Sequence, residues 1–242
     1  MRYLKDRIPR QWRLQLQLAR RQLHDYRRGV YGLFALPADN LVPLPFAVAI
    51  CQPIRRSAYY ENKLHNLQLG AERINRYLML PGQYFSFWKA VGAPSAQNGF
   101  REGRNLINGR LVPDYGGGLC QLSGMLYLLA LKTGLQVTER HHHSVDIYRE
   151  EERFCPLGAD ATVVYGYKDL RLRNNYSFPI AFQLTIAPEQ VNAKITGAQA
   201  LPDLPLAFNR YPYEEGVLVR TLRSENGVQK ELALSTYRTV AK

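Results

Sequence analysis

The chain has 242 residues, of which 46% are apolar and 21% are charged, and this composition is typical of a folded protein. A chain of this length buries a sizeable core, so folding needs neither disulfides nor a structural metal. We find no apolar run near the roughly 20 residues that a membrane-spanning helix needs, and no apolar segment follows the basic start as in a secretory signal. Cys51, Cys120 and Cys155 are too few for a disulfide framework. We therefore expect a reducing, cytoplasmic location.

The formal charge of +12 is concentrated at the N-terminus. Residues 1–28 contain nine Lys or Arg and only two Asp, a net charge of +7. Apolar residues recur there at helical spacing, namely Leu4, Ile8, Trp12, Leu16, Ala19, Leu23 and Tyr26. The pattern predicts a basic amphipathic helix that begins near Pro9 or Arg10.

Three surfaces are candidates for contact with this helix. It packs on its own domain, or it lies on an anionic membrane surface, at the inner membrane for a cytoplasmic protein. Nucleic acid is disfavoured, because no nucleic-acid-binding motif accompanies the charge. A Pro-rich connector over residues 29–54 separates the helix from the body, so we expect residues 1–28 to be an appendage that can be deleted without unfolding the rest.

The elements after the helix alternate between short strands and two longer helices. The first half is predicted to contain a strand at Phe46–Cys51, a helix at Glu61–Leu78, a strand at Tyr84–Trp88, a hairpin turn at Asn108-Gly109, and a helix at Leu119–Thr133 that Gly134 ends. The second half is predicted to contain strands at Leu135–His143, Ala161–Tyr167, Leu170–Arg173, Ile180–Ile186, Val191–Ile195, Val217–Leu222 and Lys230–Thr236.

These elements predict an α+β fold in which a central helix packs on an antiparallel sheet. Leucines surround the helix that begins at Leu119, which indicates a buried position. We divide the chain into an N-terminal helix at 1–28, a connector with a short strand at 29–54, a core domain at 55–197 and a C-terminal extension at 198–242.

The most informative stretch places a cysteine just after three glycines. Gly116, Gly117 and Gly118 allow unusual backbone conformations and close approach, so they are candidates for a substrate loop. Cys120 follows in the first turn of the central helix, where free amides and the helix dipole favour a reactive thiolate.

The expected lengths of the helix and of the strand after it predict that histidines lie near this thiol. The helix from Cys120 to Thr133 spans about 20 Å, and a strand that returns from Leu135 covers about 26 Å by His143. Alternation along that strand places His141 and His143 on one face and His142 on the other. A cysteine and a histidine within reach are the minimum machinery for nucleophilic amide chemistry.

Further residues would complete such a site. Asp160 is our candidate for orienting the imidazole, and the Gln121 side chain or the helix-start amides are candidates for stabilising an oxyanion. Plainer interpretations remain open: an inert buried thiol at Cys120, an exposed polar strand end at the histidines, and a turn cap at Asp160. A zinc site is a further alternative, but no C-x-x-C accompanies the histidines, so we expect neither a metal nor another cofactor.

The sequence resembles the VanW family, named for an accessory protein of vancomycin-resistance gene clusters. The matching segments run in order over roughly residues 55–187: Glu61–Leu69, Leu80–Trp88, Asn108–Leu111, Gly116–Ser123, Arg140–His143, Asp160–Val163 and Asp169–Asn174. The arginine-rich start is also similar. The family pattern has a histidine three residues after an arginine, which matches Arg140 and His143 and favours His143 over His141.

The resemblance implies no established reaction, but it suggests a connection to the cell wall. The glycine run, the cysteine-led helix and the histidine strand also resemble the layout of papain-like and transglutaminase-like cores, which is an analogy of fold alone. We therefore expect a thiol enzyme acting on a peptide-like amide in a cell-wall precursor, with Cys120 as nucleophile. A non-catalytic module that binds such a peptide, or an accessory protein of glycopeptide resistance, is the rival interpretation, and a zinc-dependent hydrolase is the third.

Overall fold

The computed structural model describes residues 9–39, 41–107, 110–146 and 155–239. This part of the chain forms four α-helices: α1 (Arg10–Arg27), α2 (Tyr60–Ile74), α3 (Phe87–Val91) and α4 (Leu119–Thr133). Its strands are β1 (Phe46–Pro53), β2 (Leu78–Met79), β3 (Tyr84–Ser86), β4 (Glu102–Ile107), β5 (Arg110–Tyr115), β6 (Gln136–Glu139), β7 (Val145–Asp146), β8 (Arg171–Arg173), β9 (Ile180–Ile186), β10 (Gln190–Gly197), β11 (Leu206–Tyr213), β12 (Gly216–Glu225) and β13 (Val228–Thr239). The predicted α+β class is confirmed.

Helix α4 is the centre of the core. Every residue in it apart from Cys120, Leu128 and Lys132 is buried. It packs on an antiparallel sheet with strand order β1-β10-β9-β2, and α2 also contacts it. The helix ends at Gly134, whose φ of 75° is the left-handed conformation that glycine adopts without steric cost. The predicted arrangement of a Cys-bearing helix on an antiparallel sheet is therefore correct.

Three smaller sheets surround this centre. Strands β3, β8 and β6 form one sheet, and β4 and β5 form a two-stranded ribbon. In the third, β11, β12 and β13 form an antiparallel meander, and β7 adds to β13 in parallel. The C-terminal extension is therefore hydrogen-bonded to the core segment that directly follows the histidines.

Several sequence predictions need correction. The helix predicted to reach Leu78 ends at Ile74, and Leu78 pairs with β9 instead. The strand predicted over Tyr84–Trp88 stops at Ser86, because the Ser86 hydroxyl accepts a hydrogen bond from the Lys89 N–H and starts α3. Residues 161–167 form no strand and contribute only a bridge between Val164 and Lys168. The predicted turn at residues 108–109 lies outside the described residues, although β4 and β5 on either side of it pair as expected.

The strand after α4 is shorter than predicted. It covers Gln136–Glu139, so His141, His142 and His143 follow it in an irregular segment. The alternation that placed His141 and His143 on one face therefore does not apply to them.

Helix α1 begins at Arg10, as predicted, and is attached to the body by buried charges. The two terminal guanidinium nitrogens of Arg171 donate to the two carboxylate oxygens of Asp25, at 2.5 and 3.0 Å, and Asp25 is only 2% exposed. Arg21 pairs with Glu139 at 2.6 Å. Leu14 packs so closely on Gly166 that a Cβ there would lie 2.5 Å from the leucine Cδ1. No described helix has both the length and the apolarity needed to cross a bilayer.

These contacts change the expected result of removing the N-terminal helix. Deleting residues 1–28 would remove Asp25 from the Arg171 guanidinium, which would still pair with Asp169 at 3.1 Å and Glu139 at 3.4 Å, and the loss of a buried bidentate partner is destabilising. We therefore expect the deletion to lower the stability of the body, and the expectation that the rest stays folded without this segment stays a prediction.

We predict that Asp25→Ala lowers the free energy of unfolding by about 2–4 kcal/mol, because it breaks a buried, bidentate ion pair. Asp39→Ala is the matched control, since Asp39 pairs with Arg76 at a surface where the two side chains are 80% and 52% exposed. That substitution should cost less than about 1 kcal/mol. Urea unfolding of both variants measures the difference, and equal losses would contradict the attachment of α1 by Asp25.

Candidate active site

The three glycines before α4 are needed for packing and backbone conformation. Gly116 and Gly118 have φ values of 81° and 102°, in the left-handed region. Gly117 meets β4 so closely that a Cβ would lie 2.6 Å from the Gly103 Cα. The buried Asn66 amide fixes this loop by donating to the Gly117 carbonyl at 3.1 Å. These contacts account for all three glycines without a substrate, and a role as a substrate loop stays a prediction.

Cys120 lies in the first turn of α4, directly after this loop. Its Sγ is 3.8 Å from the Thr162 hydroxyl and 3.9 Å from the Val163 carbonyl oxygen. Both neighbours belong to the irregular segment that follows Asp160. The His143 ring lies close enough to the thiol for its hydrogen bonding and positive charge to lower the Cys120 pKa. The structure therefore brings together the cysteine and the histidine that the sequence proposed as a pair.

Asp160 holds His143 in place. One carboxylate oxygen, Oδ2, accepts hydrogen bonds from the His143 Nδ1 and from its backbone N–H, both at 2.7 Å. Because Nδ1 is bound to Asp160, Nε2 is the ring nitrogen left for the thiol. Cys120, His143 and Asp160 thus lie in the order that a nucleophile, a base and a group orienting the base require.

The second oxygen of Asp160 is held by two further groups. The Arg140 guanidinium donates to Oδ1 at 3.1 Å, and the Tyr237 hydroxyl donates to it at 2.5 Å. Arg140 also donates to the Gly158 carbonyl at 3.1 Å and to the Ser235 hydroxyl at 2.6 Å. Sequence reasoning assigned no role to Tyr237 or Ser235, which reach the site from β13. The family's arginine, three residues before the histidine, was the available signal for Arg140.

These contacts set the charges of the pair. Burial lowers the pKa of His143, but its hydrogen bonds to Asp160 and Cys120 outweigh burial and raise the pKa to about 10. Burial raises the pKa of the Cys120 thiol, and the hydrogen bond and positive charge of His143 outweigh it, so the net shift is downward. The pKa of Asp160 also falls, because His143 and Arg140 together outweigh its burial. A thiolate–imidazolium pair is therefore favoured between the lowered cysteine pKa and about pH 10.

His141 does not join this site. Its Nε2 lies 3.1 Å from the Glu139 Oε1, in the charged cluster that also binds α1. Burial raises the pKa of Glu139, but hydrogen bonds from His141 and Arg21 outweigh it and hold that pKa at about 2. The prediction that His141 shares a face with His143 is wrong, because the segment is not a strand.

Gln121 is also directed away from the thiol. Its side-chain amide donates to the Pro53 carbonyl at 3.0 Å, and its backbone N–H donates to the Gly118 carbonyl at 2.8 Å. These bonds engage the backbone donor and one of the two side-chain N–H groups, so a role of Gln121 in stabilising an oxyanion stays a prediction. The backbone N–H of Cys120 has no acceptor among the described residues, so it is the donor that remains next to the sulfur.

No group of three or more His, Cys, Asp or Glu side chains in the described ranges is arranged to hold a metal ion. The expectation that the site needs no metal stays a prediction.

Known proteins share much of this chain. Residues 62–196, which include Cys120, His143 and Asp160, match the family model described as VanW like protein. The chain is 31% identical over 181 residues to Vancomycin B-type resistance protein VanW of Enterococcus faecalis (strain ATCC 700802 / V583), an alignment that covers 74% of this chain and 65% of that protein. It is 32% identical over 120 residues to Uncharacterized protein YoaR of Bacillus subtilis (strain 168), which covers 50% of this chain and 38% of that protein. The alignments thus span less than two thirds of either relative. No solved structure matches the chain significantly.

We predict that iodoacetamide labels Cys120 well below the ordinary thiol pKa of about 8.5. The reason is that its pKa is lowered, so the thiolate persists as the pH falls and is lost only below the shifted value. His143→Ala removes the imidazolium and leaves burial as the main influence, so the labelling profile of Cys120 should move to higher pH. Mass spectrometry of alkylated peptides between about pH 5 and pH 9 measures this.

The exposed Cys51 provides the internal control, because its labelling should not respond to His143→Ala. His142→Ala tests the neighbouring ring, whose Nδ1 lies 2.8 Å from the His143 carbonyl oxygen and whose ring contacts Tyr237. It should leave the Cys120 profile close to that of the unmodified protein. A Cys120 that stays unlabelled, or that labels identically with and without His143, would contradict the pairing.

Proposed function

The chain belongs to the VanW family, and we propose that it is a thiol enzyme that cleaves or transfers a peptide-like amide. The observation that supports this most strongly is the 2.7 Å hydrogen bond between the His143 Nδ1 and Asp160, beside a Cys120 thiol whose pKa the histidine lowers. Cys120 is the nucleophile and His143 is the general acid and base. Asp160 acts through His143 and is therefore a positioning residue.

The proposed first step forms an acyl-enzyme. The Cys120 thiolate attacks the carbonyl carbon, which forms a C–S bond and moves the carbonyl electron pair onto oxygen. The N–H of Cys120 stabilises that oxyanion. The His143 imidazolium then gives its Nε2 proton to the leaving nitrogen as the C–N bond breaks. The products are a thioester on Cys120, a free amine and a neutral His143.

The second step regenerates the thiolate. Neutral His143 takes a proton from water, or from an acceptor amine in a transfer reaction, and the resulting nucleophile attacks the thioester carbon. The C–S bond breaks, its electron pair returns to the sulfur, and His143 is again the imidazolium. Asp160 holds Nδ1 throughout, so the same nitrogen, Nε2, carries the proton in both steps.

We propose that the amide belongs to a peptide of a cell-wall precursor. The support is the name of the Enterococcus faecalis relative, which connects that protein to vancomycin resistance. A role in such resistance for this chain is part of the same proposal. The chain's three cysteines are all free thiols, which supports a reducing, cytoplasmic compartment.

A peptide-binding module without turnover is the second candidate. One observation favours it: Cys120 is partly buried and packs against the main hydrophobic core, which restricts access to its sulfur. A substrate carbonyl must come within about 3–3.5 Å of the sulfur to react. A thiol that stays enclosed when the peptide is bound would support binding alone.

The experiment that separates these functions uses wall peptides released from bacterial peptidoglycan as the probe. We expect the purified protein to change the masses of specific peptides by hydrolysis or transfer, with a thioester adduct on the peptide that contains Cys120. Cys120→Ala should abolish both signals, and His143→Ala should slow the reaction about a hundredfold or more. His141→Ala is the matched control, because its ring lies in the Glu139 cluster.

Two results would reject the proposed enzymatic function. Turnover that survives Cys120→Ala would exclude the thiol mechanism. Saturable binding of a peptide with no mass change and no adduct would assign the chain to the binding module.

A further inference from the structure

Helix α1 has two apolar faces on opposite sides. The inner face, which includes Leu14 and Leu18, contacts Gly166 of the body. Arg21 and Asp25 lie on the same side and make the ion pairs to Glu139 and Arg171. This face accounts fully for the attachment of the helix to the domain.

The outer face is an exposed apolar stripe. Its members recur at spacings of three, four and seven residues and therefore align along one side of a helix. They are Trp12, which is 68% exposed, Leu16 and Leu23 at 48%, and Tyr26 at 72%. Large apolar side chains scattered singly on a surface need no explanation, but four in one line form a continuous patch.

Arginines line one edge of this stripe. Arg13, Arg20 and Arg27 repeat every seven residues and are all exposed. The only acidic residue in α1 is Asp25, which is buried in its ion pair with Arg171. The outward charge of the helix is therefore entirely positive, and no carboxylate offsets it.

The other edge of the stripe is polar but uncharged. Gln11, Gln15 and Gln22 occupy it, and Gln22 donates to the Tyr31 hydroxyl at 3.0 Å. Tyr31, 46% exposed, thereby places a further aromatic ring beside the stripe, just after the end of α1. Tryptophan and tyrosine with arginine are the residues that prefer the boundary between lipid headgroups and acyl chains.

We propose that the outer face of α1 binds the surface of an anionic membrane, with the stripe of Trp12, Leu16, Leu23 and Tyr26 inserted among the lipids and the arginine row on their headgroups. The helix then lies in the plane of the interface, because its outer stripe is flanked by polar and charged residues and its inner face stays packed on the body. Anionic lipid is favoured over a second copy of this chain, because two such faces would place two positively charged helices against each other with no acidic residue in α1 outside the Asp25 ion pair. It is favoured over nucleic acid, since phosphates offer no partner for the exposed leucines.

The experiment is co-sedimentation of the full chain with vesicles. We expect binding to vesicles made of equal parts phosphatidylcholine and phosphatidylglycerol, and little binding to phosphatidylcholine alone. Binding should weaken with added salt, because ions screen the arginine–headgroup attraction. The triple variant Trp12→Ser, Leu16→Ser and Leu23→Ser should lower the partition coefficient at least about tenfold, since the apolar contribution is lost.

A matched variant controls for non-specific binding of exposed apolar side chains to the vesicles. Val228→Ser with Leu234→Ser removes two residues that are 69% and 55% exposed in the C-terminal extension, and it should leave vesicle binding unchanged. Arg13→Gln, Arg20→Gln and Arg27→Gln should remove the preference for anionic lipid. Thermal melts of all variants confirm that each is folded.

Four results would overturn the proposal. They are failure to bind anionic vesicles, equal loss of binding in the Val228 and Leu234 variant, binding of duplex DNA or RNA in preference to vesicles, and a dimer that the triple serine variant converts to a monomer. None of these results depends on the thiol chemistry, because Cys120→Ala should bind vesicles as the unmodified protein does.

Discussion

The site depends on one carboxylate. Asp160 accepts four hydrogen bonds, from the His143 ring, the His143 backbone, Arg140 and Tyr237. A buried carboxylate with this many donors stays ionised, and it stabilises a positive charge on the imidazole beside it. That charge in turn lowers the pKa of Cys120. The pKa of the thiol therefore depends on Asp160, which acts through His143.

The segment from Glu139 to His143 divides its side chains between two charged clusters. Glu139 and His141 join the cluster with Arg21 and Arg171 that attaches α1. Arg140 and His143 instead bind Asp160. A regular strand would place Glu139, His141 and His143 on one face and Arg140 on the other, so it could not bring both Arg140 and His143 to Asp160. The strand ends at Glu139, before the second cluster. The candidate site and the attachment of α1 thus share one stretch of chain.

Sequence patterns predicted much of this arrangement. The leucine-rich pattern and Gly134 gave the limits of α4, and alternation located the β9–β10 hairpin, because both signals are local. The proximity of Cys120 and His143 was predicted from lengths alone, and the choice of Asp160 came from its position after the histidines.

Sequence patterns failed in two ways. They extended a local strand too far, and they did not reveal contacts between residues that are distant in sequence. His141 was included because a strand was assumed to continue. Tyr237 was missed, since it lies 77 residues from its partner Asp160, and no short-range pattern marks a hydroxyl that closes a distant network. Packing of α1 on the body was one of the alternatives from the sequence, but its contacts were not predicted, because Asp25 and Arg171 are 146 residues apart.

The most direct test of the central claim is the protonation of the His143 ring, followed by nitrogen-15 nuclear magnetic resonance across pH. The raised pKa of about 10 means that the ring carries both protons at neutral pH and loses one only as the pH rises through that value. Asp160→Asn should move this titration well down toward the ordinary histidine pKa of about 6.5. A His143 pKa near 6.5 in the unmodified protein, or a His143 pKa that Asp160→Asn leaves unchanged, would contradict the account.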